Sequence, residues 1–300
     1  MTRFQTEPIE LREGWSGAVL TGADPQWARL PRREDWRDFL NRLAAGAGGI
    51  PGHEPLKVSR SVEVFRGRLA FGEDSIEVVC KRARSAARGR GLRGWRISRE
   101  RRNFDRAITL LSRGLDTALP LACIERRGPR RAAWLVTKHI PELLDLDQAL
   151  LMRLPRVEPR NMRQVKDAVA SAVVRLCIQL EESGLFYRDM KASNIMLADW
   201  TDQGGPLRTV LVDLDGLRAR RFWEGRRQWR SLVRLAASLV NAHGVTRSDF
   251  GRFLKAYLQQ TGEPPASWKR RYATLDSAVE VYVRRARRRK LHKFDGYTGG

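Results

Sequence analysis

The sequence predicts an α+β chain of two lobes, a small β-rich N-terminal lobe and a larger, mainly helical C-terminal lobe. Three observations carry this prediction. Two alternating runs, 61–66 and 75–81, flank the turn residues Gly72-Glu73-Asp74 and read as a hairpin. From about residue 163 the apolar spacing becomes helical: Val165, Val169, Ala172, Val173, Leu176 and Leu180 form one stripe, which Ser183-Gly184 ends. Between the two regimes lies a polar, proline-bearing stretch, 155–160.

Taken in order, residues 1–50 read as an N-terminal extension packed on the domain, with scattered Trp15, Trp27 and Trp36 and a short helical pattern, Trp36–Leu40–Leu43. The N-lobe spans 51–140. After its hairpin comes an arginine-loaded stretch, 81–102, whose only acid is Glu100. It runs into a helix with Ile97, Phe104, Ile108 and Leu111 on one face and Gly114 as its stop. Leu119-Pro120-Leu121 and 132–140 read as further strands. The C-lobe spans 141–283. Its striped helix gives way to a polar loop, then to Thr209-Val210-Leu211-Val212, whose composition is that of a buried strand. From Trp229 to Tyr257 the spacing is helical again, and 284–300 read as a basic tail.

The composition narrows the function. With 300 residues and 42% hydrophobic content the chain can bury a real core, and Trp 9, Phe 10 and Pro 13 disfavour collagen-like, coiled-coil and disordered classes. Lys+Arg number 57 against 34 Asp+Glu, a net charge of +23, so an anionic partner is expected. No RNP-like, zinc or helix-turn-helix pattern directs that charge to nucleic acid. Cys80, Cys123 and Cys177 are far apart with no CxxC, which suggests neither a zinc site nor a disulfide framework and fits a reducing compartment. His53, His139, His243 and His292 are scattered and make no metal site. The first nine residues show no apolar signal-peptide core, and the apolar stretch 168–180 is interrupted by Arg175 and too short to span a bilayer. A cytoplasmic protein, soluble or peripheral at a membrane, is the expectation.

The chemistry is concentrated in 186–197, Phe-Tyr-Arg-Asp-Met-Lys-Ala-Ser-Asn-Ile-Met-Leu, and in Val212-Asp213-Leu214-Asp215-Gly216 at a strand end. Asp189, Lys191 and Asn194 stand at relative positions 0, +2 and +5. Carboxylates and an amide on loops are what phosphoryl transfer needs: one carboxylate takes or orients the proton of the attacking hydroxyl, while an amide and another carboxylate hold Mg²⁺. A lysine offsets the charge of the transferring group.

Y-R-D-M-K-A-S-N resembles the catalytic loop H-R-D-x-x-x-x-N of the protein-kinase-like superfamily, and D-L-D-G resembles its D-F-G metal loop. The resemblance implies a bilobal kinase-like fold that uses ATP and Mg²⁺. Asp189 and Lys191 become the catalytic residues, and Asn194, Asp213 and Asp215 the metal ligands. Asp215 stands where the family has glycine, so the register of the two acids is open. Tyr187 replaces the usual His beneath the metal loop. V-V-C-K (78–81) matches V-A-I-K, which makes Lys81 the ligand of the α/β-phosphates with Val64 and Val79 beside the nucleotide. Glu100 is its expected helix partner, although Arg96, Arg101 and Arg102 are also in reach. The phosphate-covering loop, 57–64, has no glycine, so Ser59 and Ser61, or Arg60, stand in for it. The hinge that meets adenine falls at 137–140, including Thr137 and His139.

Within the superfamily, the loop 188–196, V-D-L-D-G, R-S-L-V-R-L-A-A-S-L (230–239) and D-F-x-x-F-L-x-x-Y (249–257) are similar to the lipopolysaccharide kinase (Kdo/WaaP) family over about 55–260. The family implies phosphorylation of a sugar hydroxyl, Kdo or heptose, in the lipopolysaccharide inner core at the inner face of the membrane. The acceptor would be an anionic glycolipid or sugar. The arginine runs 82–102 and 284–290 then admit two readings: a solvated surface, or contact with lipid or lipopolysaccharide phosphates, each charge worth ~1 kcal/mol there. The other functions open to such a chain are a pseudokinase-like scaffold with a basic surface and a kinase for protein or another small molecule. Oligomeric state is not written in these motifs.

Overall fold

The computed structural model describes residues 4–23, 30–59, 62–83, 97–128, 131–219 and 225–295. Arg60, Ser61 and 84–96, the centre of the first arginine run, lie outside them. The chain divides into two compact units, Met1–Pro141 and Glu142–Gly300.

The first unit is built on a seven-stranded antiparallel sheet. Its strands are β1 (Gln5–Glu10), β2 (Trp15–Gly22), β3 (Glu54–Val58), β4 (Val62–Phe71), β5 (Asp74–Ala83), β6 (Pro120–Arg126) and β7 (Ala132–Lys138), in the order β1-β2-β6-β7-β5-β4-β3. The predicted hairpin is β4–β5, turning at Gly72 with φ +57°. Residues expected as an N-terminal extension supply β1, β2 and helix α1 (Arg33–Ala45). Trp36, Phe39, Leu40 and Leu43 of α1 are buried in one cluster with Phe65, Val78, Cys80, Trp134 and Val136 on one sheet face. β2 and β6 approach so closely that a Cβ on Gly17 would sit 1.9 Å from the Cys123 carbonyl oxygen.

Helix α2 (Arg99–Ser112) covers the opposite face, where Phe104 packs with Ala18, Cys123 and Leu135. It begins later than the apolar spacing predicts. Ser98 is the N-cap, its hydroxyl accepting from Arg101 N–H at 2.9 Å. Ile97 therefore precedes the helix and is 49% exposed rather than on the buried stripe. The Ser98 N–H donates to Glu125 Oε2 at 2.9 Å, tying the helix start to β6.

The second unit contains β8 (Leu144–Asp145), α3 (Leu146–Met152), α4 (Met162–Glu182), β9 (Leu185–Tyr187), β10 (Ile195–Ala198), β11 (Arg208–Leu211), β12 (Leu217–Ala219), α5 (Gly225–Leu239), α6 (Arg247–Gln260) and α7 (Trp268–Asp295). The α4 stripe is buried at every position the spacing predicts. The helical spacing of 229–257 belongs to two helices, α5 and α6. They part at 240–246, where Gly244 takes φ +69° and a Cβ would meet Leu154 Cδ2 at 2.8 Å. The predicted basic tail continues α7 to Asp295. Cys80, Cys123 and Cys177 are free and buried, and among the described residues no helix is long and apolar enough to cross a membrane.

A capping box starts α6: Thr246 Oγ1 accepts from Asp249 N–H at 3.3 Å, and Thr246 N–H donates to Asp249 Oδ2 at 2.8 Å. Lys166 of α4 reaches the same carboxylate at 3.1 Å. Burial alone would raise the Asp249 carboxyl, but the Thr246 and Lys166 hydrogen bonds outweigh it and hold the group below its ordinary value. A depressed folded-state value stabilises the fold above the unfolded value of about 3.9, and that contribution disappears as pH falls through the folded value. Asp249→Ala is expected to lose about 1.5–3 kcal/mol at pH 7. Urea unfolding across pH 2–7 checks this, with the variant and the wild type converging at the acid end.

Candidate functional site

The catalytic-loop and metal-loop motifs meet because the strands around them pair. β9 runs into the loop 188–194, which runs into β10, while β11 runs into 212–216, which runs into β12. β9 pairs with β12, Tyr187 opposite Leu217, and β10 pairs with β11, Ile195 opposite Leu211. The loops are then joined directly: Arg188 N–H donates to Gly216 O at 2.9 Å and Val212 N–H to Asn194 O at 3.0 Å.

Tyr187 is fully buried between the two loops. Its hydroxyl lies 3.0 Å from both the Val212 and Asp213 carbonyl oxygens, to which it donates, and it accepts from Asn194 Nδ2 at 2.9 Å. Burial pushes the phenol well above its ordinary value and the Asp213 charge adds to this, against the opposing Asn194 hydrogen bond. The hydroxyl therefore remains a donor. Asp213 adopts φ 57° and ψ 58°, the left-handed region that costs a non-glycine residue about 1–3 kcal/mol and is held by its surroundings. At Gly216 a Cβ would come within 2.7 Å of the Asp189 nitrogen and 2.9 Å of the Tyr187 ring, so only glycine lets the metal loop lie against the catalytic loop.

Asn194 is buried and donates its second amide proton to the Asp189 carbonyl at 3.0 Å. Both amide protons are thereby committed, and the carbonyl oxygen is the atom it can offer a cation. The Asp213 and Asp215 carboxylates stand on the facing loop, and with this oxygen they would give an all-oxygen donor set of the kind Mg²⁺ takes, one or two carboxylates with water and phosphate completing the shell. Among the described residues no three His, Cys, Asp or Glu cluster as a self-sufficient metal cage, and an ion shared with phosphates needs none.

Asp189 is partly exposed, at 41%. Arg234 Nη1 of α5 donates to its Oδ1 at 3.1 Å, and Arg188 Nη2 lies 3.3 Å from its Oδ2. Ser238, one turn beyond Arg234, accepts from Ala192 N–H at 2.9 Å. Lys191 between these points is exposed. The sequence reading passed over Arg234, Ser238 and Gly216. The first two stand in the 230–239 motif at helical spacing i, i+4, but nothing in the sequence says that this face meets the catalytic loop.

In the first unit, Lys81 lies opposite Val64 and Leu135, and Val79 lies opposite Arg66 and Thr137. Opposed residues share a sheet face, so Val64, Val79, Lys81 and Thr137 line one side. It is the side of α2, since Leu135 packs on Phe104, four residues after the buried Glu100. The register thus puts Lys81 and Glu100 on the same side of the sheet. Ser59 stands at the turn between β3 and β4, where its hydroxyl accepts from Val62 N–H at 3.1 Å. Ser61 is outside the described residues. In the expected hinge, Thr137 Oγ1 is 3.4 Å from Val79 O, while His139 donates its N–H to Glu77 O at 2.9 Å and sets Nδ1 3.2 Å from Glu77 Oε2. Those donors serve the sheet.

Tyr187→Phe removes one hydroxyl that serves three partners in a buried place. It is expected to cost about 1–3 kcal/mol of stability, read as a lower urea midpoint with an unchanged slope.

Comparison with known proteins bears on the fold and the family of the chain. A structure search matches "WaaP in complex with acyl carrier protein" at TM-score 0.57 and 20% identity, covering 85% of this chain and 97% of that one. It also matches a BubR1 kinase domain at TM-score 0.42 and 12% identity, over 68% of this chain and 59% of that one. A search of curated proteins gives no match. A model of the lipopolysaccharide kinase (Kdo/WaaP) family matches residues 79–257, a span that takes in Val79 to Lys81, both paired loops and α5. The chain belongs to the lipopolysaccharide kinase (Kdo/WaaP) family.

Proposed function

We propose that this kinase transfers the γ-phosphoryl group of ATP to a sugar hydroxyl, Kdo or heptose, of the lipopolysaccharide inner core. The observation that carries the reading is the set of residues fixed around one buried hydroxyl: Asp189, Asn194 and Asp213 are all connected to Tyr187 within two hydrogen bonds. These bonds fix the backbone of Asp189 and of Asp213 and the side-chain amide of Asn194, and so preorganise the loops that carry the two carboxylates.

The roles follow from the chemistry. Asp189 accepts the proton of the acceptor hydroxyl as the acceptor oxygen bonds to the γ-phosphorus. The bond from that phosphorus to the β,γ-bridging oxygen breaks, and ADP leaves with the electron pair. Lys191 offsets charge on the transferring group. Lys81 holds the α/β-phosphates and Glu100 holds Lys81, with Val64 and Val79 on the same sheet face for the nucleotide. Asn194 and Asp213, with Asp215 as a further oxygen donor, would hold Mg²⁺, which when bound neutralises phosphate charge.

An anionic glycolipid acceptor agrees with the charge of +23 and with Arg284, Arg285, Arg287 and Arg288, all exposed along α7. Peripheral attachment at the inner face of the cell membrane belongs to the same reading.

Two measurements test it. Mg·ATP is expected to raise the melting temperature of wild type and of Asp189→Asn alike, because nucleotide binding stabilises the fold by mass action. Phosphoryl transfer to lipopolysaccharide-core acceptors, followed by mass spectrometry, is expected to fall by ~10²–10⁴-fold in Asp189→Asn. No melting shift at millimolar nucleotide would favour a pseudokinase-like scaffold. Transfer to protein or to another small molecule, but not to core sugars, would reassign the acceptor.

A further inference from the structure

Helix α5 grips the catalytic loop at two points, one before Lys191 and one after it. After it, Ser238 Oγ accepts the Ala192 N–H at 2.9 Å and donates to Leu235 O at 2.7 Å. Before it, a single nitrogen, Arg234 Nη1, donates both to the Arg188 carbonyl and to Asp189 Oδ1. One guanidinium nitrogen thus fixes the loop backbone and the carboxylate that follows it. The grip is firm because α5 is itself anchored: Leu232, Leu235 and Ala236 are buried in the second unit.

The two arginines at Asp189 are not equivalent. Arg188 is the chain neighbour, 53% exposed, and meets Oδ2 at 3.3 Å. An incoming hydroxyl can replace that contact. Arg234 is 32% exposed and comes from a helix 45 residues away in sequence. A carboxylate on a loop has two side-chain torsions to settle, and Arg234 Nη1, which holds the Arg188 carbonyl and Oδ1 at once from an anchored helix, restrains them.

We infer that Arg234 is a positioning residue for the transfer, holding Oδ1 of Asp189 so that Oδ2 is the oxygen presented to the acceptor hydroxyl. The inference rests on the reading of Asp189 as the proton acceptor. In the step it serves, the hydroxyl proton passes to Oδ2 while the acceptor oxygen bonds to phosphorus and ADP departs. The helix contributes orientation to this step and no atom.

The test uses the full-length protein with Mg·ATP and lipopolysaccharide-core acceptor. Arg234→Met is expected to lower kcat by about a hundredfold, the scale on which a misplaced reacting group costs rate, with KM for ATP within about twofold of wild type. Arg234→Lys recovers at least tenfold of the loss, and added guanidinium ion partly restores Arg234→Met while leaving Asp189→Asn inactive. A purely structural role would instead lower the melting temperature and raise KM together, with no rescue by lysine or guanidinium. That pattern, or a kcat within threefold of wild type in Arg234→Met, overturns the inference.

Absence of transfer by the wild type is a separate outcome, which removes the kinase reading itself. Deuterium exchange over 186–197 then judges the helix's hold on the loop. Faster exchange in Arg234→Met than in Arg234→Lys supports that hold, and equal protection in both refutes it.

Discussion

Two short antiparallel ladders decide where the chemistry of the second unit can sit. Together with the two loops they form a closed ring: β9, the loop 188–194, β10, across to β11, the loop 212–216, β12, and back across to β9. Each ladder is only three or four residues long, yet neither can slip alone. A shift by one residue would carry Tyr187 to the other face of the ribbon and part its hydroxyl from the carbonyls of 212 and 213. Register is enforced by apolar burial, since Leu185, Tyr187, Ile195, Leu197, Leu211 and Leu217 are all buried. The hydrophobic effect sets the register, and the register sets which polar groups face one another.

The first unit presents Lys81 on a sheet face that is only partly packed, since Val64, Val79 and Thr137 beside it are half-buried. α1 covers one face of the seven-stranded sheet, while α2 covers the other over β2, β6 and β7 and leaves Arg66, Arg68 and Glu77 of β4 and β5 in reach of water. The strands under α1 carry the larger cluster, including the edge-to-face pair of Phe65 and Trp134 with ring centroids 5.6 Å apart. Lys81 faces the α2 side, where the helix is fixed at its start by Ser98 and Glu125. Glu125, buried and hydrogen-bonded twice by Arg127, is thus part of what sets the position of Glu100.

Much of this was legible in the residues. Alternation located β4 and β5, the stripe from Val165 to Leu180 located α4, and the spacing of Asp189, Lys191 and Asn194 located the catalytic loop, because each signal is local. What the sequence hid was non-local. The strands β1 and β2 read as an extension because their alternation is short and their partner, β6, is about a hundred residues away. Ile97 fitted the helical period, but the cap at Ser98 starts the helix after it. Arg234 and Ser238 look like any arginine and serine on an amphipathic helix until the fold shows which loop they meet. The arginine-rich stretch also divides on inspection. Arg82 pairs with Glu63 at 3.0 Å and stacks 4.7 Å above Trp134, and Arg101 pairs with Asp105, so part of the net charge belongs to the fold rather than to any partner.

The tyrosine at 187 has one more consequence. A histidine in that place would exchange its proton between about pH 5 and 8, and its bonding to the metal loop would change with it. A phenol ionises at about pH 10 to begin with, and burial moves this one further to the alkaline side, so it does not titrate in that range. Its bridge between Asn194 and the carbonyls of 212 and 213 keeps the same donors and acceptors across that range. With tyrosine in that place, this one bridge does not change with pH between about 5 and 8.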